Sequence, residues 1–145
     1  LDRKQTAVQR QVRRGGLASY EPPTQATLLA LSQQLRTRLV FFDVGAHIGL
    51  YSAMINTIFR QYGPQVVAFE PTPDTFNLCT RLRDANQLNY IAINQAIGSE
   101  TGEVSFFLSP KAETSNSMNK DFRPGAESIQ VLVTTLDALQ SQGLP

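Results

Sequence analysis

The stretch Leu39-Val-Phe-Phe-Asp-Val-Gly-Ala-His-Ile-Gly-Leu-Tyr-Ser52 decides how this chain is read. Its first four residues, Leu39 to Phe42, form an apolar run rich in β-branched and aromatic side chains. Such a run predicts a strand buried on both faces, as in a parallel sheet. Asp43-x-Gly45-x-x-x-Gly49 follows, and then a helical pattern. Strand, glycine turn and helix together open a nucleotide-binding α/β unit. Gly45 lets the backbone turn tightly and approach a ligand, because it has no Cβ. Gly49 lets the helix start pack close to the strand. The first amides of that helix have no intrahelical partner and are free to receive a carboxylate or phosphate.

The dinucleotide fingerprint Gly-x-Gly-x-x-Gly fails here. Counted from Gly45, its second and third glycines fall on His47 and Leu50. A nicotinamide-dependent oxidoreductase is therefore disfavoured. Asp-x-Gly-x-x-x-Gly is similar to the first-turn pattern of class I methyltransferases that use S-adenosylmethionine. The alternative is a tight strand-to-helix turn without a ligand.

Outward from the turn, Leu50, Tyr51, Met54, Ile55, Ile58 and Phe59 fall at helical spacing, a stripe expected in the core. Tyr62-Gly63-Pro64 ends that helix. Val66 to Phe69 predicts a second apolar strand, closed by Glu70-Pro71. Glu70 lies 21 positions after Gly49, at the carboxyl end of this strand. Ligands of open α/β sheets bind at those ends, and a carboxylate there can accept both ribose hydroxyls of an adenosine. A solvent-facing or helix-capping carboxylate is the alternative. Thr72-Pro73-Asp74 starts another helix, with Thr75, Leu78, Cys79, Leu82 and Ala85 expected on its buried face. Tyr90 to Ile93 is a third strand, and the loop from Asn94 lies where an adenine would rest, Ala96 and Ile97 suiting its edge. Gly102 to Leu108 and Ile129 to Thr134 alternate and are expected to pair antiparallel, attached to the parallel sheet. Ser109 to Ala126 is a long polar loop. Upstream, Thr24 is expected to cap a helix from Gln25 to about Arg36 with Leu28, Leu31 and Leu35 on one face.

The chain has 145 residues, 41% hydrophobic and 17% charged, with a net charge of +1. That is an ordinary globular balance, and the total implies neither a nucleic-acid nor a membrane partner. Residues 1–14 carry five basic residues against one acidic residue. We read residues 1–16 as a basic, mobile or weakly helical lead-in, a solvated extension in preference to an anion-binding arm. Residues 17–145 form the domain. Cys79 is the sole cysteine, so no internal disulfide forms and a reducing, cytoplasmic setting is expected. No apolar run approaches the length of a membrane span, and no metal site is read.

The ordered set of segments resembles the FkbM family of S-adenosylmethionine-dependent methyltransferases. It comprises Asp43 to Ser52, Val67-Ala-Phe-Glu-Pro71, Asn94-Gln-Ala-Ile-Gly98 with Gly102 to Phe106, and Val133-Thr-Thr-Leu-Asp137. Tyr20-Glu21-Pro22 is similar to the segment preceding that family's first strand. The resemblance runs from about residue 17 to 139. It implies an α/β, Rossmann-like, three-layer class I fold and methyl transfer to a hydroxyl of a sugar or natural product. By position, Asp43, Gly45, Ala46 and Gly49 would hold the methionine part of the cofactor. Glu70 with Pro71 would hold the ribose, and Asn94 to Ile97 would border the adenine. The family's next strand, with its acidic motif, has no counterpart here, so the domain reads as truncated after three parallel strands plus a β-hairpin. His47, the only histidine, is a candidate base for the acceptor hydroxyl; a structural hydrogen bond or a place in the cofactor-pocket lining is its other reading. The loop Thr114 to Met118 is a candidate for acceptor contacts. A non-catalytic module of the same fold is the rival from a different functional class.

Overall fold

The computed structural model describes residues 5–109, 116–119, 121 and 126–144. Helix α1 (Ala7–Gly15) starts at Thr6, whose hydroxyl accepts from the Gln9 amide while the Gln9 side chain accepts from the Thr6 amide. Two donors at the helix start are thereby satisfied reciprocally, so the lead-in carries a defined helix. Val8 is buried on it, and Arg10, Arg13 and Arg14 are exposed.

Helix α2 (Pro22–Gln34) begins earlier than expected. Its N-cap is Glu21, in the left-handed region at φ 44°, not Thr24, and the two prolines supply the pre-set φ of the first turn. Leu28 and Leu29 pack against the core, whereas Leu31 and Leu35 are exposed. The expected stripe of Leu28, Leu31 and Leu35 is thus corrected: the helix meets the body through a narrower face.

Strand β1 (Val40–Val44) pairs in parallel with β2 (Gln65–Phe69), and β2 with β3 (Ile91–Ile93), giving the order β1-β2-β3. Helix α3 (Leu50–Ile58) joins β1 to β2, and helix α4 (Pro73–Ala85) joins β2 to β3. Among the described residues β1 is an edge strand, which is why Val40 and Val44 are exposed. The expectation that the first strand is buried on both faces is therefore overturned, and β2 takes that place. Val66 and Ala68 face a cluster with Met54, Ile55, Phe59, Cys79 and Tyr90; Val67 and Phe69 face a second cluster with Leu139. The period-two alternation of a strand makes β2 the middle of three layers. On α4, Thr75 and Cys79 are buried as read, but Ala85 is exposed.

The chain then passes through Asn94 and Gln95 into a second sheet. Strand β4 (Ala96–Ile97) pairs in parallel with β6 (Ser128–Thr134), and β5 (Gly102–Phe107) pairs antiparallel with β6. The β5–β6 pair matches expectation, but it forms its own sheet with β4 and is not an extension of the parallel sheet. Its core is Ala96, Val131 and Val133. Helix α5 (Leu136–Ser141), capped by the Thr135 hydroxyl on the Ala138 amide at 3.0 Å, seats Leu139 behind β2. Strand, turn and helix are repeated around a parallel sheet, with α3 and α4 on one face and α5 on the other, the three-layer α/β arrangement that the resemblance implies. Among the described residues no helix is long and apolar enough to cross a membrane.

Candidate cofactor site

The turn from β1 into α3 is built by its own backbone and by two carboxylates. The amides of Gly45 and Ala46 both donate to the Phe69 carbonyl at 2.9 Å, which ties the turn to the end of β2. Gly45 holds φ 78°, His47 φ 53° and Gly49 φ 79°, all in the left-handed region. Glycine meets that demand without strain; histidine does so at a cost of about 1–2 kcal/mol. A Cβ on Gly49 would lie 2.6 Å from Cys79 Sγ and 2.8 Å from the Tyr90 hydroxyl. The close approach that Gly49 allows is to α4 and Tyr90, not to β1 as its position in the turn suggests.

Asp43 is buried, and its Oδ2 accepts from the Ser52 amide at 3.0 Å and the Ser52 hydroxyl at 2.7 Å. It thus satisfies a first-turn donor of α3. Burial pushes its carboxyl above the ordinary range; the Ser52 bonds act against that shift, and the charge of Glu70 adds to it. Glu70, also buried, accepts from the His47 amide at 2.8 Å through Oε2. Through Oε1 it accepts from the Thr72 amide at 2.9 Å and the Thr75 hydroxyl at 2.8 Å. Glu70 therefore links the glycine turn to the start of α4. Three of a carboxylate's roughly four acceptor positions are taken, so bidentate capture of two ribose hydroxyls is not open to it without displacing one of these donors. The Asn94 side-chain amide donates to the carbonyls of Glu70 at 2.7 Å and Pro71 at 3.0 Å, fixing the loop that carries the carboxylate.

A cavity of about 370 Å³ opens at these strand ends, a size suited to a small molecule. Gly45, His47, Glu70, Pro71, Ala96 and Ile97 all line it. Asp43, Ala46, Gly49 and Asn94 do not; they hold the turn and the Glu70–Pro71 loop from behind. Ala46 belongs to the core cluster. Ala96 and Ile97 are strand residues, not a loop, which gives this wall a rigid apolar edge. The sequence reading did not assign Val44, Thr72 or Phe106 to the site. Phe106 comes from β5, which joins β4 in one sheet with β6 between them. Asn116 and Met118, both in the loop expected to touch an acceptor, also line the cavity, while Thr114 and Ser115 lie outside the described residues. Tyr20 and Glu21 complete the rim.

The cavity fits the adenosyl donor that the turn suggests. It offers an apolar edge, carboxylates near a sharp glycine turn, and no Lys or Arg among its described lining residues. A larger cavity of about 800 Å³ lies between the start of α1 and α4 and shares Thr72 and Asn116 with the first. Among the described residues no group of His, Cys, Asp and Glu is placed to hold a metal ion.

Residues 43–142 match the family model described as the methyltransferase FkbM domain. The hexuronic acid methyltransferase AglP of Haloferax volcanii is 32% identical over 93 residues, covering 64% of this chain and 36% of that protein. The chain thus spans about a third of the length of the curated relative it matches. Among solved structures, the PH0226 protein of Pyrococcus horikoshii aligns with a TM-score of 0.40 at 18% identity, over 53% of this chain and 35% of that one. A protein studied for the conversion of a disulfide bond into a thioacetal group during echinomycin biosynthesis aligns with a TM-score of 0.40 at 19% identity, over 61% and 39% of the two chains.

Proposed function

Because the chain belongs to the FkbM methyltransferase domain family, we propose that it binds S-adenosylmethionine in the cavity at the ends of β1, β2 and β4 and serves methyl transfer to a hydroxyl of a sugar or natural product. The observation that carries this reading is the pairing of the glycine turn with Glu70 on one cavity wall. The sugar-acid substrate named for the similar AglP supports a carbohydrate acceptor.

When bound, the donor supplies an electrophilic methyl group on a sulfonium whose departure leaves a neutral thioether. The protein's own work is then to align, to exclude water and to receive a proton. In this reading the Gly45–His47 backbone borders the methionine part. Glu70 accepts one ribose hydroxyl with the acceptor position its internal bonds leave. Ala96, Ile97 and Phe106 pack against the adenine. Asp43, Gly49 and Asn94 act by holding the turn and the Glu70 loop in place. His47, on the cavity wall, is the candidate to take the proton of the acceptor hydroxyl.

Calorimetric titration with S-adenosylmethionine tests the donor site, followed by transfer of a labelled methyl group to a panel of neutral sugars and uronic acids. Binding in the micromolar range, about −8 kcal/mol, with label on a hydroxyl supports the proposal. A folded chain with no binding at about 1 mM ligand overturns it. Binding with no transfer to any hydroxyl acceptor favours a non-catalytic module.

A further inference from the structure

We infer that Glu21, held by Tyr51 at the cavity rim, receives the α-ammonium group of the donor's amino-acid part. The inference rests on the donor reading above and adds a residue that lies outside the glycine turn.

Glu21 is placed with unusual definition for an exposed residue. It adopts φ 44°, ψ 58° immediately before Pro22-Pro23. The Gln25 side-chain amide donates to the carbonyls of Leu17, at 2.7 Å, and of Tyr20, which anchors the segment from below. The Tyr51 hydroxyl, from the first turn of α3, donates to Glu21 Oε2 at 2.6 Å, and the Tyr20 and Tyr51 rings lie 6.1 Å apart. Burial and the Glu21 carboxylate hold the Tyr51 hydroxyl well above its ordinary range, so it remains a donor at any physiological pH.

The electrostatics then select the ligand group. Glu21 and Glu70 both line the cavity, and its described lining contains no Lys or Arg. Glu70 already serves three protein donors. The Glu21 carboxylate accepts the Tyr51 hydroxyl and is in no ion pair among the described residues. It therefore keeps acceptor positions and charge for a cation with N–H donors. An ammonium group has three such donors; a sulfonium has none. Tyr20, beside it on the rim, adds an aromatic wall for a cation.

The test is calorimetry on this chain with four probes. S-Adenosylmethionine carries both cations, and S-adenosylhomocysteine carries the ammonium alone. Its decarboxylated analogue keeps the ammonium without the carboxylate, and 5′-methylthioadenosine lacks the whole amino-acid part. Glu21→Gln keeps an acceptor for Tyr51 and removes the charge. It is expected to weaken S-adenosylhomocysteine and the decarboxylated analogue by roughly 5- to 10-fold, as for a partly exposed charge-assisted bond. It should leave 5′-methylthioadenosine within about 2-fold. Equal loss for all four, or no loss for any, overturns the inference while leaving the donor reading intact. A loss confined to S-adenosylmethionine puts Glu21 on the sulfonium and also overturns it. Failure of the unsubstituted, folded chain to bind any probe overturns the donor reading and this inference with it.

Discussion

Replacing Gly49 by alanine asks whether the turn is held by conformation and close packing as its geometry implies. Gly49 stands at φ 79°, ψ 27°, where an L-residue costs about 1–2 kcal/mol. The new Cβ would stand 2.6 Å from Cys79 Sγ and 2.8 Å from the Tyr90 hydroxyl. Neither neighbour yields easily. Cys79 is fully buried, and the Tyr90 hydroxyl is pinned by its 2.7 Å bond to the Cys79 carbonyl. Overpacking of this kind costs about 1–3 kcal/mol. The sum, about 2–5 kcal/mol, is a large share of the 5–15 kcal/mol typical of a domain. Urea unfolding followed by circular dichroism reads it directly: with a slope of about 1–3 kcal/mol per molar for a small protein, the midpoint falls by about 0.7–5 M. A second substitution separates the two causes. Cys79→Ala removes the sulfur but leaves the carbonyl that holds Tyr90. In the double variant the clash with Sγ is relieved while that with the Tyr90 hydroxyl remains, so the two changes couple favourably by about 0.5–2 kcal/mol. A Gly49→Ala loss below about 1 kcal/mol, or strict additivity with Cys79→Ala, refutes the close-packing account.

Glu70→Ala should destabilise the fold by about 3–6 kcal/mol, because the His47 and Thr72 amides and the Thr75 hydroxyl lose a charged acceptor together; Thr75→Val, which removes one of these bonds, should cost about 1 kcal/mol in the same urea assay. The raised Asp43 carboxyl binds protons in the native state at pH values where the unfolded chain has lost them. Its contribution to stability therefore falls as pH rises from its ordinary value of 3.8 through the raised native value. Asp43→Asn keeps an acceptor for Ser52, so the stability difference between variant and parent should move in the variant's favour across that window and be flat above it, as read by urea midpoints at successive pH values. Burial, together with the charges of Asp43 and Glu70, pushes the Cys79 thiol up. It should react with a disulfide reagent orders of magnitude more slowly in the native chain than in urea, and fast native labelling would show that α4 is not seated against Gly49.

Much of the site was legible because its signals are local. A turn that needs glycine at a positive φ writes Gly45 and Gly49 into the sequence, and an acidic residue closing an apolar strand marks Glu70. Six of the ten residues expected in the cofactor site line the cavity. The other four, Asp43, Ala46, Gly49 and Asn94, share the motifs but face inward. A motif fixes which residues occur together; it does not fix which way each side chain turns once two neighbouring strands and a helix compete for it.

The sequence by itself determined the run of strands and helices from β1 through α3, β2 and α4 to β3, their parallel sheet and the position of the turn, because period and backbone conformation act over a few residues; it did not show β4. Among the described residues, tertiary structure alone decided that β2 is more deeply buried than β1, since β2 has a strand on each edge. It decided that Leu31 and Leu35 stay in water. It also decided that Glu70 is a hub for three protein donors and that Tyr51 reaches back 30 positions to Glu21. Contacts of that separation arise from how the elements pack, and no local pattern of residues records them.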